Sequence, residues 1–141
     1  MLETNGNIWK FRGPNNLIVI PTNGTVNSQG KLVMGAGVAK QATQLWPLIS
    51  YRLGDLVKRY GNHVHILADI GVCSFPVKHA WSDTANIMLI TRSCGELVAS
   101  TNLNGSIYLP RVGCGNGHLL WQDVKPILES YLDDRFILVS I

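Results

Sequence analysis

Residues 106–128 read SIYLPRVGCGNGHLLWQDVKPIL. Three signals follow one another here. SIYLP, Ser106–Pro110, is a short run of strand formers closed by proline. RVGCGNG, Arg111–Gly117, is a glycine-rich loop. LLWQDVKPILESYLDD, Leu119–Asp134, carries apolar residues at helical spacing, with Asp133 and Asp134 at the turn after it. The same order occurs upstream. NLIVIP, Asn16–Pro21, reads as a buried central strand stopped by Pro21. A loop rich in Asn, Gly and Ser follows. VMGAGVAKQATQLWP, Val33–Pro47, then passes from glycines into a helix beginning near Gly35 or Ala36 and ending around Trp46.

The remaining segments extend the alternation. LISYRLGDLVKRYG, Leu48–Gly61, is a second helix with a glycine stop. HVHILADIGVCSFPVK, His63–Lys78, reads as two short strands joined by a bend. ANIMLITRS, Ala85–Ser93, begins as another apolar run, and CGELVAS after it as helix. RFILVSI, Arg135–Ile141, is a closing strand. Continuous apolar strands need cover on both faces. The pattern therefore predicts one α/β domain over residues 1–141, a three-layer α/β/α sandwich with a mixed, largely parallel central sheet.

Composition narrows the function classes. With 46% apolar and 15% charged residues, the 141-residue chain has the makings of one buried core. Its net charge of +3 admits an anionic ligand. The lysines and arginines are scattered, without the run that marks a broad nucleic-acid groove. Three cysteines, Cys73, Cys94 and Cys114, form no CxxC pair, which argues against a zinc site or a disulfide framework. The histidines His63, His65 and His79 show no metal-ligand spacing. No metal and no cofactor is expected. Reduced thiols, the absence of an apolar leader in MLETNGNIWKF and the lack of any stretch of membrane-spanning length predict a cytoplasmic protein.

In α/β sheets ligands bind beyond the carboxyl ends of the strands. Both glycine loops follow strands, so both are expected at that edge. Either loop alone reads as a tight corner. Together they supply convergent backbone N–H groups of the kind that hold phosphate, and the helix after Gly35 adds its free amides. GxxxxGK[ST] is absent, and GAG lacks the third glycine of GxGxxG.

Three pieces, IPTN, VMGAGVAKQATQLWP and LPRVGCGNGHLLWQDVKPIL, occur in an order that resembles the macrodomain family of ADP-ribose-binding folds. SFPVKHAW, Ser74–Trp81, is similar to a segment of the macrodomains that reverse thymidine ADP-ribosylation. The resemblance implies an ADP-ribose ligand or an ADP-ribosylated substrate, including ADP-ribosylated DNA or nucleotide. It implies that Asn7 and Ile8 lie at the adenine. Asn7 stands where the family has Asp, and accepts through an amide oxygen without charge. Asn23, or Asn27 in its place, would lie beside the distal ribose. Gly35, Ala36, Gly37 and Val38 would hold that ribose and the nearer phosphate. Val112, Gly113, Cys114, Gly115, Asn116 and Gly117 would wrap the diphosphate from the other side.

Lys78 is the candidate catalyst, with Asn23 beside it. Pro76 restricts its backbone, and Trp81 is placed to shield it or to stack on a base. An amine desolvated in this way can serve as nucleophile or assist a leaving group. The alternative is an ordinary surface lysine. Asp69 or Asp83 could orient it, though a loop cap is the simpler role for Asp83. Another branch of the family pairs a lysine in the first helix with an acid in the second loop. Thr43 and Gly117 occupy those places here, so that pair is missing, and Lys40 is expected in solvent. His118 is a surface histidine or an acid–base group near the phosphates. Cys114 has no identifiable base to activate it. The sequence thus points to hydrolysis of an ADP-ribosyl bond. An ADP-ribose-1″-phosphate phosphatase using water near Asn23 or His118, and a non-catalytic ADP-ribose reader, are the alternatives.

Overall fold

The structure, a computed structural model, describes residues 1–102 and 104–141. Among them six strands and four α-helices follow one another: β1 (Leu2–Asn5), β2 (Leu17–Thr22), α1 (Gly37–Leu45), α2 (Ile49–Tyr60), β3 (Ile66–Leu67), β4 (Val72–Pro76), α3 (Ile87–Ser100), β5 (Ile107–Leu109), α4 (Trp121–Tyr131) and β6 (Phe136–Ser140). A short 3-10 helix, Ile8–Phe11, follows β1. The strand order is β1-β6-β5-β2-β4-β3. Every pairing is parallel except that of the edge strand β3 with β4.

Both faces of the sheet are covered. Ile18 and Ile20 of β2 join Ala39, Ala42, Ile49 and Leu53 of α1 and α2. Val19, one residue out of phase, packs on the opposite face with Ile90, Leu97, Val124 and Leu128 of α3 and α4. Successive strand side chains point to opposite faces, so the central strands carry apolar residues toward both layers. This is the expected three-layer α/β/α sandwich with a mixed, mostly parallel sheet.

Three expectations are corrected. β2 runs through Pro21 to Thr22 instead of stopping at the proline. Leu17 donates its amide to Ser106, toward β5, and Ile18 donates to Gly71, toward β4. Alternation turns the Pro21 nitrogen toward β5, which has already ended at Leu109, so no ladder bond is lost. The apolar run at residues 85–93 is not a separate element. Asn86 caps a single helix, its Oδ1 accepting from the Leu89 amide at 3.0 Å. The buried residues Leu89, Ile90, Ser93, Cys94 and Leu97 form one stripe on it. The N-terminal segment also contributes a strand, β1, along β6. Among the described residues no helix is long and apolar enough to cross a membrane.

Candidate functional site

The carboxyl ends of β2 and β5, neighbours in the sheet, part at Pro21 and Pro110 and open a cleft of about 1130 Å³. It extends across the ends of four adjacent strands in the order β4, β2, β5, β6, because Lys78, Asn23, Arg111 and Ser140 all line it. Three inter-strand steps span about 14 Å.

The two glycine loops form its walls. Gly35, Ala36, Gly37 and Val38 line one side, and Gly113, Cys114, Gly115, Asn116 and Gly117 line the other. Ala36 is the N-cap of α1 and supplies no side-chain cap. The first amides of a helix have no intrahelical partner. Among the described residues, the amides of Gly35, Gly37, Val38 and Ala39 donate to no other group of the chain, and neither do those of Gly115, Asn116 and Gly117. Two sets of free donors thus face one space.

The glycines differ in why they are glycine. Gly113 has a φ of +76°, and a Cβ there would lie 2.9 Å from Ile90 Cδ1. At Gly117 a Cβ would meet the Gly113 carbonyl at 2.5 Å and Ala85 Cβ at 2.7 Å. The fold itself requires both. At Gly35 and Gly115 a Cβ would meet nothing within 4 Å and the backbone is ordinary. Nothing within the chain excludes a side chain there. Both face the cleft, where a side chain would take room from a ligand.

At the β4 end, Lys78 is buried at 7% exposure. Its Nζ donates to the carbonyls of Trp81 (3.3 Å) and Asn116 (3.2 Å). No carboxylate pairs with it among the described residues. Burial of a cation without a counterion is costly, so this end favours a negative charge. The Lys78 backbone is pinned from behind. Asn62 Nδ2 donates to the Lys78 carbonyl at 3.0 Å, and the Gly24 amide donates to the His79 carbonyl at 3.1 Å. Arg92 donates to the Asn62 carbonyl and pairs with Glu96, which also holds His63 and the Val64 amide. Burial pushes the Glu96 carboxyl up, but the Val64 amide, His63 and Arg92 outweigh it and hold the group below its ordinary range.

Other candidates fall into place. Asn23 lines the cleft and ties its loop together: Nδ2 donates to the Val33 carbonyl and Oδ1 accepts from the Thr25 amide. Asn27 does not line it; its Oδ1 closes a local turn by accepting from Gln29 and Lys31. Asn7 caps the 3-10 helix by accepting from the Trp9 amide, Ile8 is buried beneath it, and Val112 is buried under the second loop. None of these three lines the cleft. Trp81 lines the cleft and is 58% exposed, and it is the Trp81 carbonyl that accepts from Lys78. Asp69 pairs with Arg52, and Asp83 caps the Ala80 amide, so neither reaches Lys78. Lys40 and His118 are exposed and outside the cleft lining. Cys114 lines the cleft, but burial raises its thiol pKa against the pull of Arg111. Burial pushes the Cys94 thiol up to about 12 and raises Cys73 further. No group of three or more His, Cys, Asp or Glu able to hold a metal occurs among the described residues.

Sequence reasoning missed the β6 end. Arg111 and Trp121 both line the cleft, the guanidinium 5.1 Å from the indole centroid. Arg111 Nε donates to Ser140 Oγ at 3.1 Å. Lys78 and Arg111 are cations, and among the described residues no Asp or Glu lines the cleft.

No protein-family model and no curated protein matches the chain. Solved structures do. The macrodomain of Mycobacterium tuberculosis DarG superimposes with a TM-score of 0.78 at 22% identity, over 99% of this chain and 97% of that one. The macrodomain of Thermus aquaticus DarG gives 0.78 at 25% identity, over 99% and 97%. Thermosipho africanus DarTG, solved in complex with ADP-ribose, gives 0.76 at 19% identity, over 99% of this chain and 42% of that one. The sheet order, the two glycine loops at its carboxyl edge and these superpositions agree: the chain has the macrodomain fold.

Proposed function

We propose that the cleft binds ADP-ribose and that the protein hydrolyses an ADP-ribosyl bond, with a nucleobase adduct as substrate. The observation that carries this reading is the buried Lys78 amine, without a carboxylate partner among the described residues, at the end of a cleft walled by two rows of free amides. The free amides suit a diphosphate, because they donate without burying a countercharge. The similarity to a DarTG structure solved with ADP-ribose supports the ligand class.

With its diphosphate between the loops, a ligand places its distal ribose over β2 and β4. Asn23 holds the loop that carries Gly35, and we assign it to positioning that ribose. Lys78 has two donors engaged with carbonyls and a third available. In the proposed step the bond from C1″ to the base breaks, and its electron pair leaves with the base. The Lys78 ammonium gives that base a proton. Water adds to C1″ and returns a proton to the amine. Exposed Trp81 at the mouth offers a face on which the departing base stacks.

Calorimetry with ADP-ribose, followed by product analysis on ADP-ribosylated DNA, tests the reading. Wild type should bind ADP-ribose and release it from DNA, and Lys78→Ala should bind but not release. No heat with ADP-ribose at millimolar concentration sinks the whole reading. Binding without turnover on any substrate makes the protein a reader. Phosphate release from ADP-ribose-1″-phosphate that survives Lys78→Ala makes it a phosphatase.

A further inference from the structure

We infer that the helical layer made by the 3-10 helix, α1 and α2 is a docking face for single-stranded nucleic acid, outside the cleft. The inference holds whatever ligand the cleft takes. The net charge of +3 conceals an uneven distribution. From Ile8 to Gly61 there are seven lysines and arginines and one acid, Asp55. This stretch builds β2 and the elements of one layer, since Ile8, Ala39, Ala42, Ile49 and Leu53 pack together on one face of the sheet. In the opposite layer, α3 and the stretch from Trp121 to Arg135 carry five acids and three cations. Cations scattered along the sequence are thus gathered by the fold on one side, where they can act together on a polyanion.

Two of the seven are neutralised: Arg52 pairs with Asp69, and Arg59 with Asp55. Lys10, Arg12, Lys31, Lys40 and Lys58 pair with no carboxylate among the described residues, and none of them lines the cleft. Aromatic rings lie among them. Trp9 Nε1 donates to Gln41 Oε1 at 2.7 Å, which ties the 3-10 helix to α1. The Trp9 and Trp46 rings meet edge-on with centroids 5.7 Å apart, and the Arg12 guanidinium lies 5.4 Å from the Trp46 centroid. Elsewhere in the layer, Lys31 Nζ lies 4.9 Å from the ring centroid of Tyr51, which is 43% exposed. Lys58 follows Tyr51 by about two helical turns and so shares its stripe of α2. Cations beside rings match the two chemistries of a single strand: phosphates that need charge, and unstacked bases that need a π-face. A duplex keeps its bases stacked inside and offers this face only phosphates. Leu45 and Leu48 are exposed on the same layer, so an anionic vesicle is the partner to exclude. Two leucines make a weak anchor, and the cations set beside rings favour the strand.

The test is fluorescence anisotropy on the full chain with a labelled oligothymidylate of about 20 nucleotides, longer than a single small domain covers. Wild type should bind at low salt, and its log affinity should fall with log salt at a slope of about 0.7 per phosphate neutralised. The triple variant Lys10→Gln, Lys31→Gln, Lys40→Gln should flatten that slope by about two. Tyr51→Ala should weaken binding about fivefold through lost stacking. Lys125→Gln, in the opposite layer, and Arg111→Gln, in the cleft, should bind like wild type. A duplex of the same length should bind more weakly, and phosphatidylserine vesicles should not compete. No binding at low salt overturns the inference. So does equal weakening by Lys40→Gln and Lys125→Gln, because net charge would then suffice. Loss in Arg111→Gln would put the strand in the cleft, and tighter binding of the duplex or the vesicles would give the layer another partner; either result overturns it. Melting curves establish that each variant is folded, and Lys10→Gln and Lys40→Gln alone decide if the triple variant is not. None of these outcomes depends on ADP-ribose binding, so the two readings fail separately.

Discussion

Gly115→Ala separates a glycine kept by the fold from one kept by a ligand. An added Cβ at residue 115 meets nothing within 4 Å, and the backbone there is not left-handed. Replacing glycine by alanine at a compatible position reduces the entropy of the unfolded chain and stabilises by about 0.4–1 kcal/mol. The melting temperature should therefore hold or rise by a few degrees. Binding should move the other way. A methyl group at this wall holds a phosphate oxygen beyond hydrogen-bond reach of the loop amides. Loss of one charge-assisted hydrogen bond is worth about 1.5–3 kcal/mol. ADP-ribose affinity should then fall by roughly ten- to 150-fold. Gly117→Ala is the counterpart. Its Cβ would lie 2.5 Å from the Gly113 carbonyl and 2.7 Å from Ala85, so overpacking should destabilise it by about 1–3 kcal/mol. Thermal melts and calorimetry on both variants decide the matter. If Gly115→Ala melts like wild type and binds ADP-ribose with unchanged affinity, the open space above residue 115 is not ligand room and the clamp argument fails.

Asn62→Ala removes the donor to the Lys78 carbonyl but also deletes Asn62 Oδ1, a buried acceptor without a hydrogen-bond partner among the described residues. These effects oppose, so stability should change by no more than about 1 kcal/mol while turnover drops and ADP-ribose affinity persists; unchanged turnover would show that the strap does not position Lys78. The depressed Glu96 carboxyl contributes stability that is full above the ordinary value of 4.5 and is lost as pH falls through the lower folded-state value. Wild type should thus lose melting temperature more steeply than Glu96→Gln as pH falls below 4.5, and parallel acid limbs would refute the assignment. Thiol titration should find Cys114 alone reacting in the native protein, slowly because its thiol is raised, and all three cysteines after denaturation. Fast native reaction of a second thiol would contradict the burial of Cys73 and Cys94.

The fold was legible where strands are central and not where they are marginal. LIVIP and SIYLP declare themselves because burial on both faces removes every polar interruption. β1 was invisible because LETN contains one apolar residue, and none of the strand is buried. Its place beside β6 comes from backbone pairing that no side-chain pattern records. Residues 85–93 were ambiguous for the opposite reason. A short apolar run suits a buried strand or a buried helix equally, and the deciding feature was the Asn86 cap three residues before Leu89.

The site follows the same logic, with topology as the missing variable. Each glycine loop could be read locally, since each lies next to its own strand. The Arg111–Ser140 contact could not, because it joins residues 29 apart through the adjacency of β5 and β6. Trp121 was hidden for a related reason: helical spacing marks a residue as inward-facing without saying whether inward means core or cleft. Composition gave even less help with the glycines. RVGCGNG presents three that look alike, yet Gly113 and Gly117 answer to packing while Gly115 answers to nothing inside the chain. Lys78 is the electrostatic version of that case, a buried cation whose only partners among the described residues are two carbonyl oxygens. An unfilled wall and an unpaired charge, at the centre and at one end of one cleft, are two independent requirements, and a diphosphate-bearing ligand with a departing group over β4 meets both.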